Sequence, residues 1–337
     1  MLPRRDLLAA LGVAGVAVAA PATVASARSQ DRTPPQPPPA GALPPISVLA
    51  NLFTRVAAEV MINGRGPFRF VIDTGAGSTA LADTVAAQLA LPARPPLIVH
   101  GITAAARTDS VQVDRLTLSG VGFRNLRCPV IAREQLGADG LLGLDVLGQF
   151  RLGFNIEHQS VYLSGRGIRV LMGGERMSTG TRIRQAGIHS VRGRFGQLIL
   201  TSTLVEGQPT AAFIDSGAQY SIGNNALRRA VAARRPNGLG QSRPLQLYGV
   251  TGQTLSAELA RVDNIRLGRS RLGTTPLLFA DLHCFETLEL ANRPALLIGA
   301  DLLGRFRMVT LDFTANTVDF EGLRRQATRT IEDELLT

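Results

Sequence analysis

Two short segments, Ile72-Asp73-Thr74-Gly75-Ala76 and Ile214-Asp215-Ser216-Gly217-Ala218, each set an aspartate at the end of an apolar run, ahead of a hydroxyl residue, a glycine and an alanine. One such aspartate alone is an ordinary turn residue, whose carboxylate bonds the backbone two positions on. Two in equivalent segments carry more weight. If a two-fold relation maps one segment onto the other, the carboxylates face each other at its axis. Like charges about 3 Å apart cannot both ionise, so such a pair shares one proton and holds an acid and a base at one spot. The ionised member then takes a proton from a water while the protonated member donates to a carbonyl oxygen, which is hydrolysis without a covalent intermediate. Thr74 and Ser216 offer hydroxyls to bond across the axis. Gly75 and Gly217, lacking Cβ atoms, let the two loops and an extended chain approach closely.

The elements that must position these residues repeat as well. Leu141-Leu142-Gly143-Leu144-Asp145-Val146-Leu147-Gly148-Gln149-Phe150-Arg151 matches Leu297-Ile298-Gly299-Ala300-Asp301-Leu302-Leu303-Gly304-Arg305-Phe306-Arg307 in register. Between each aspartate and this segment, His100-Gly101-Ile102-Thr103 corresponds to Tyr248-Gly249-Val250-Thr251. Three matches in one order mark an internal duplication. Short apolar stretches separated by Gly, Pro, Asn and Asp predict mainly β structure, with strands such as Val113 to Leu118 and Val262 to Leu267 and brief helices near Leu81 to Ala90 and Asn225 to Arg234. Asp145 and Asp301 read as helix N-caps. Asp312 and Asp319 read as the solvent face of strands, and Glu332, Asp333 and Glu334 as part of a frayed tail.

The paired Asp-Thr/Ser-Gly-Ala segments resemble the active-site signature of the retroviral-type (retropepsin-like) aspartic proteases, and the two apolar-apolar-glycine segments are similar to the element that family packs beneath its active-site loop. That family usually draws one aspartate from each of two identical chains. With both copies on one chain, the resemblance implies a mainly β, two-lobed acid-protease fold made of two retropepsin-like halves related by pseudo-two-fold symmetry. It also implies an aspartic endopeptidase with catalytic Asp73 and Asp215, active-site loops Thr74, Gly75, Ala76 and Ser216, Gly217, Ala218, a peptide or protein substrate and a monomeric state. Gly101, Tyr248 and Gly249 would belong to flaps that close over the substrate, or to ordinary hairpin turns; His100 stands where the second half has Tyr248, so the flaps would differ. The expected organisation is a signal peptide (1–27), a proline-rich spacer (28–48), an N-terminal lobe (49–164), a connector (165–195), a C-terminal lobe (196–322) and a tail (323–337). A dyad sharing one proton favours acidic pH. A non-catalytic module holding peptides or a partner in the same groove is the alternative, though two opposed carboxylates serve no purpose in a mere binder.

Composition prunes other chemistry. The 337 residues, 45% of them hydrophobic, suffice for about two domains. All 36 basic residues are arginine, which removes P-loop, Schiff-base and Ser-Lys chemistry. The four histidines lack zinc-helix spacing, no G-x-S-x-G occurs, and neither metal nor cofactor is expected. The net charge of +10 is spread over scattered arginines, so nucleic acid is not an expected partner, and a polyanion-binding envelope protein is the weaker reading. Cys128 and Cys284, 156 residues apart, fit one long-range disulfide or two buried thiols, the latter preferred. Arg4 and Arg5, the apolar run Leu7 to Ala20 and Ala25-Ser26-Ala27 form a signal peptide resembling the twin-arginine kind, an ordinary secretory signal or an uncleaved anchor being the other readings. This predicts an exported, periplasmic protein with no membrane span in the mature chain.

Overall fold

The computed structural model describes residues 46–47, 57–173, 187–235, 239, 242–248 and 254–324. The leader, nearly all of the proline-rich spacer, Gly249 and the acidic tail lie outside them.

The first half begins with the hairpin Ala57–Ile62 and Arg65–Ile72. Ala58, Val60 and Ile62 are fully buried while Glu59 is exposed, the period-two pattern of a strand with one face on a core. Gly140–Leu142 lies parallel to the end of Arg65–Ile72 and antiparallel to Ala80–Ala82, which in turn lies parallel to Val121–Ile131. Ala105–Leu118 pairs with Val121–Ile131 on one edge and returns to Ala57–Ile62 through Val60↔Leu118, which closes the sheet into a barrel. Ala93–His100 stands outside it as the second arm of a long hairpin with Ala105–Leu118.

The second half repeats this order element by element. Leu198–Val205, Gln208–Ile214, Ala295–Ile298, Ile222–Gly223, Thr275–Phe279 and Thr254–Val262 follow the same sequence of parallel and antiparallel pairings, with Arg243–Tyr248 as the outer hairpin arm. Ala295–Ile298 has neighbours on both edges and is buried on both faces, as its unbroken apolar run Ala-Leu-Leu-Ile requires. Closure comes from Ile265–Leu267 pairing with Leu198–Val205. The single strand expected over Val262 to Leu267 is therefore two, because Asp263-Asn264, poor strand formers, turn the chain between them.

A sheet of six strands joins the halves, in the order Ile188–Arg192, Thr317–Leu323, Phe306–Asp312, Arg151–Asn155, Ser160–Gly165, Ile168–Met172. Its two middle strands are equivalent members of the repeat and pair antiparallel, Gly153↔Thr310 and Phe154↔Val309. The pseudo-two-fold axis passes between these two pairs. Tyr162 lies across Gly153, where a Cβ would fall 1.9 Å from the ring, and its hydroxyl meets Thr310 Oγ1 at 3.1 Å. The connector, irregular in the sequence reading, supplies both end strands of this sheet: Ile168–Met172, paired on one side only among the described residues, and Ile188–Arg192, which goes on to pair with Leu198–Val205 of the second barrel. Asp312 also departs from a plain solvent-face residue: its Oδ1 accepts from the Thr314 and Ala315 N–H groups and shapes the hairpin turn.

The candidate active site

Each half ends its second strand at an aspartate and turns sharply, and the two turns meet. Thr74 Oγ1 donates to the Ile214 carbonyl at 3.0 Å and accepts the Ser216 N–H at 3.0 Å. Ser216 Oγ returns both bonds, donating to the Ile72 carbonyl at 3.1 Å and accepting the Thr74 N–H at 3.1 Å. Thr74 and Ser216 are buried. At about 1 kcal/mol net each, these four bonds fix the separation of the loops.

The carboxyl groups of Asp73 and Asp215 thereby come within hydrogen-bonding reach of each other. Asp73 Oδ1 accepts from the Gly75 and Ala76 N–H groups at 2.9 and 3.1 Å, and Asp215 Oδ1 from the Gly217 N–H at 2.8 Å. The glycines are required by the close approach: a Cβ on Gly75 would lie 2.4 Å from the Asp215 carboxyl carbon, and one on Gly217 3.0 Å from Asp73 Oδ2. Burial raises the pKa of both acids. At Asp215, 5% exposed, burial and the negative charge of Asp73 push it up to about 8. At Asp73 burial is opposed by the two backbone donors and by a bond from Asp215. Both carboxyl groups are thus held above their ordinary range, and the pair as a unit keeps one proton where two free aspartates would keep none.

Gly143 and Gly299 pack beneath these loops. A Cβ on Gly143 would fall 2.4 Å from the Ser78 backbone, and one on Gly299 2.5 Å from the Tyr220 carbonyl oxygen. The first N–H groups of the following helices reach the same loops, Leu144 to the Ala76 carbonyl at 2.9 Å and Ala300 to the Ala218 carbonyl at 2.8 Å. Asp145 and Asp301 are not the N-caps expected; Gly143 and Gly299 hold that position in the helices Leu144–Leu147 and Ala300–Leu303. The carboxylates instead brace the loops, Asp145 Oδ1 accepting from Thr79 Oγ1 at 2.7 Å and Asp301 Oδ1 from Ser221 Oγ at 2.6 Å. Burial pushes Asp301 up to about 6. Sequence reasoning passed over Thr79 and Ser221, although each stands six residues after its aspartate and the duplication alone pairs them.

Gln197 was also missed. Its Nε2 donates to the Gly75 carbonyl at 3.3 Å and its buried Oε1 has no partner among the described residues. The hairpin ending at His100 turns through Gly101, whose N–H donates to the Ala104 carbonyl at 2.9 Å, so Gly101 lies at a hairpin tip. Tyr248 ends the equivalent strand of the second half, while Gly249 falls outside the described residues. Cys128 is buried, Cys284 half-buried, and neither forms a disulfide; burial raises both thiols. No helix among the described residues is long and apolar enough to cross a membrane.

An aspartyl protease family model matches residues 58–146 and again residues 201–302, once on each half. No curated protein matches the chain. The two matches together cover more than half of the sequence, each contains one Asp-Thr/Ser-Gly loop with its bracing glycine, and the chain belongs to the aspartyl protease family.

Proposed function

We propose that the chain is an endopeptidase that hydrolyses extended peptides with a water activated between Asp73 and Asp215. One observation carries this reading: two carboxyl groups held face to face in a buried site by mirrored backbone and hydroxyl bonds, both raised in pKa by that burial. Asp73 takes a proton from the water as its oxygen attacks the scissile carbonyl carbon. Asp215 gives its proton to the carbonyl oxygen, forming a geminal diol. The diol collapses as a hydroxyl proton returns to one carboxylate and the leaving nitrogen is protonated by the other. The substrate chain lies extended between the halves and bonds by its backbone. With both carboxylates on one chain, a monomer suffices.

The test is cleavage of a diverse peptide library by the full chain beside Asp73→Asn and Asp215→Asn. Either substitution removes an essential proton donor or acceptor and is expected to lower the rate by at least about a thousandfold with the fold intact. Cleavage at the parental rate by both variants overturns the reading. Export to the periplasm belongs to the same proposal and rests on residues 4–27; N-terminal sequencing of the mature chain tests it.

A further inference from the structure

The tip of the first-half hairpin does not stop at its own half. Ile102 packs against the apolar cluster of the second half that includes Ala218, Tyr220 and Phe285, and the Ile102 carbonyl accepts the Cys284 N–H at 3.3 Å. Beside this contact, His100 Nδ1 and His283 Nε2 lie 2.9 Å apart, with the rings 5.2 Å between centroids. His283 opens the helix His283–Thr287 of the second half, so a pair of imidazoles joins the hairpin of one half to a helix of the other. We propose that His100 and His283 form a proton-operated latch, which holds the first hairpin across the cleft at neutral pH and releases it on acidification.

The chemistry of the pair sets the direction. A bond between two imidazole nitrogens needs one N–H and one lone pair. With both rings neutral this is satisfied. A first proton leaves it satisfied too, one ring donating and the other accepting. A second proton turns both facing nitrogens into donors, and the bond becomes a repulsion.

Charged groups flank the pair. Glu286 Oε2 lies 3.3 Å from His283 Nδ1 and can accept that ring's N–H. Arg194 faces His100 from the turn Gly193–Gln197, its guanidinium over the Phe195 ring at 5.6 Å and that ring 6.0 Å from His100. The pKa of His100 is lowered from 6.5 by burial, by His283 and by Arg194, so charge on that ring beside a charged partner is disfavoured. Asp215 lies close enough to raise the Cys284 thiol by its charge, and its own pKa is raised by burial and by Asp73. As a group whose latched-state pKa is depressed, His100 contributes to closure above its pKa and withdraws it as pH falls through that value. The device is one-sided: the first-half helix Arg133–Leu136 opens with an arginine that pairs with Asp139.

The latch stands on this geometry, and only its consequence for cleavage rests on the protease reading. Under that reading the covered cleft opens to peptide below the His100 pKa.

The test needs no turnover and so separates the two. Amide hydrogen exchange in the full chain is followed in peptides spanning residues 97–106 and 283–290 from about pH 7.5 to about pH 5, each rate divided by the chemical rate at that pH, while NMR follows the histidine rings. Protection is expected to fall about tenfold or more, with a midpoint matching the second histidine titration. His283→Gln is expected to make protection independent of pH, at whichever level it settles. Protection in residues 295–303 reports the fold, and His100→Gln replaces the first variant if that is lost. Unchanged protection in the parent, a midpoint matching neither histidine, or a fall that persists in the glutamine variant overturns the latch.

Discussion

Thr74 and Ser216 exchange the same two bonds in opposite directions, hydroxyl to carbonyl and amide to hydroxyl, so that neither aspartate loop can move without breaking a bond held by the other. The spacing of the two carboxyl groups is thus set by hydroxyl and backbone groups, and no bond across the loops needs to be spent on it by the carboxyl groups themselves.

Removing one hydroxyl should therefore be more damaging than its single atom suggests. Thr74→Ala leaves the Ser216 N–H and the Ile214 carbonyl buried without their partner. Each such group costs about 1–3 kcal/mol, so a loss of about 2–5 kcal/mol is expected by denaturant unfolding. Thr74→Ser, which keeps the hydroxyl, should recover most of it.

The pH profile of cleavage follows from where the proton sits. A singly protonated pair is needed, and Asp215 releases its proton only near 8. The alkaline limb of kcat/KM is thus expected near pH 8, so activity extends through neutrality and beyond the acidic optimum expected of an unperturbed pair. Fluorogenic peptide hydrolysis across pH measures it. A latch that opens in acid would add an earlier fall in kcat/KM through a rise in KM, which the separate kcat profile would not show.

The same carboxyl makes a statement about stability. Its folded pKa lies above the unfolded value of 3.8, so the native state binds the extra proton and stability declines as pH rises from about 4 through 8. Asp215→Asn removes the ionisation, and the variant is expected to gain about 1–3 kcal/mol on its parent at pH 8 relative to their difference at pH 4, read by urea unfolding at both.

Asp301, raised by burial to about 6, accepts from Ser221 Oγ and from the Leu302 N–H at 2.7 Å. An amide oxygen can take both bonds. Asp301→Asn is expected to stay within about 1 kcal/mol of the parent at neutral pH, whereas Asp301→Ala, stranding both donors, should lose about 2–4 kcal/mol. Thermal unfolding of the two variants tests the contrast.

Gly299→Ala should be worse than either. Its Cβ would meet backbone rather than a flexible side chain, 2.5 Å from the Tyr220 oxygen and 3.0 Å from that of Ala218. The loop bearing Asp215 must shift, so both a stability loss above about 3 kcal/mol and a fall in kcat are expected, measured by unfolding and by hydrolysis.

Duplication made much of this legible in the sequence. Once Asp73 is aligned with Asp215, the crossed hydroxyls follow from symmetry, and the place of Gly143 and Gly299 beneath the loops follows from the family resemblance. What symmetry does not relate stayed hidden. Gln197 and the His100–His283 contact belong to one half or to the seam between unlike parts, and no periodicity marks them. The strands Ile168–Met172 and Ile188–Arg192 escaped because both are short and have hardly a fully buried residue, so no apolar face marks them and their composition is correspondingly loose. Asp145 and Asp301 were misjudged by two positions: a glycine in extended backbone takes the cap, which leaves the acid free to reach Thr79 and Ser221.

The pairing of Arg151–Asn155 with Phe306–Asp312 has a further consequence. These strands are copies of one another, and each occupies the place where a separate, unfused half would have set the same strand against itself in an isologous dimer. In such a dimer every change at the axis is made twice, so a residue there must suit its own image. Covalent linkage lifts that restriction. Glycine at 153 can face threonine at 310 while phenylalanine at 154 faces valine at 309, and Tyr162 can lean across the axis from one side alone. The same freedom lets one loop carry threonine and the other serine, and lets one rim of the cleft acquire a pair of histidines that the opposite rim does not share.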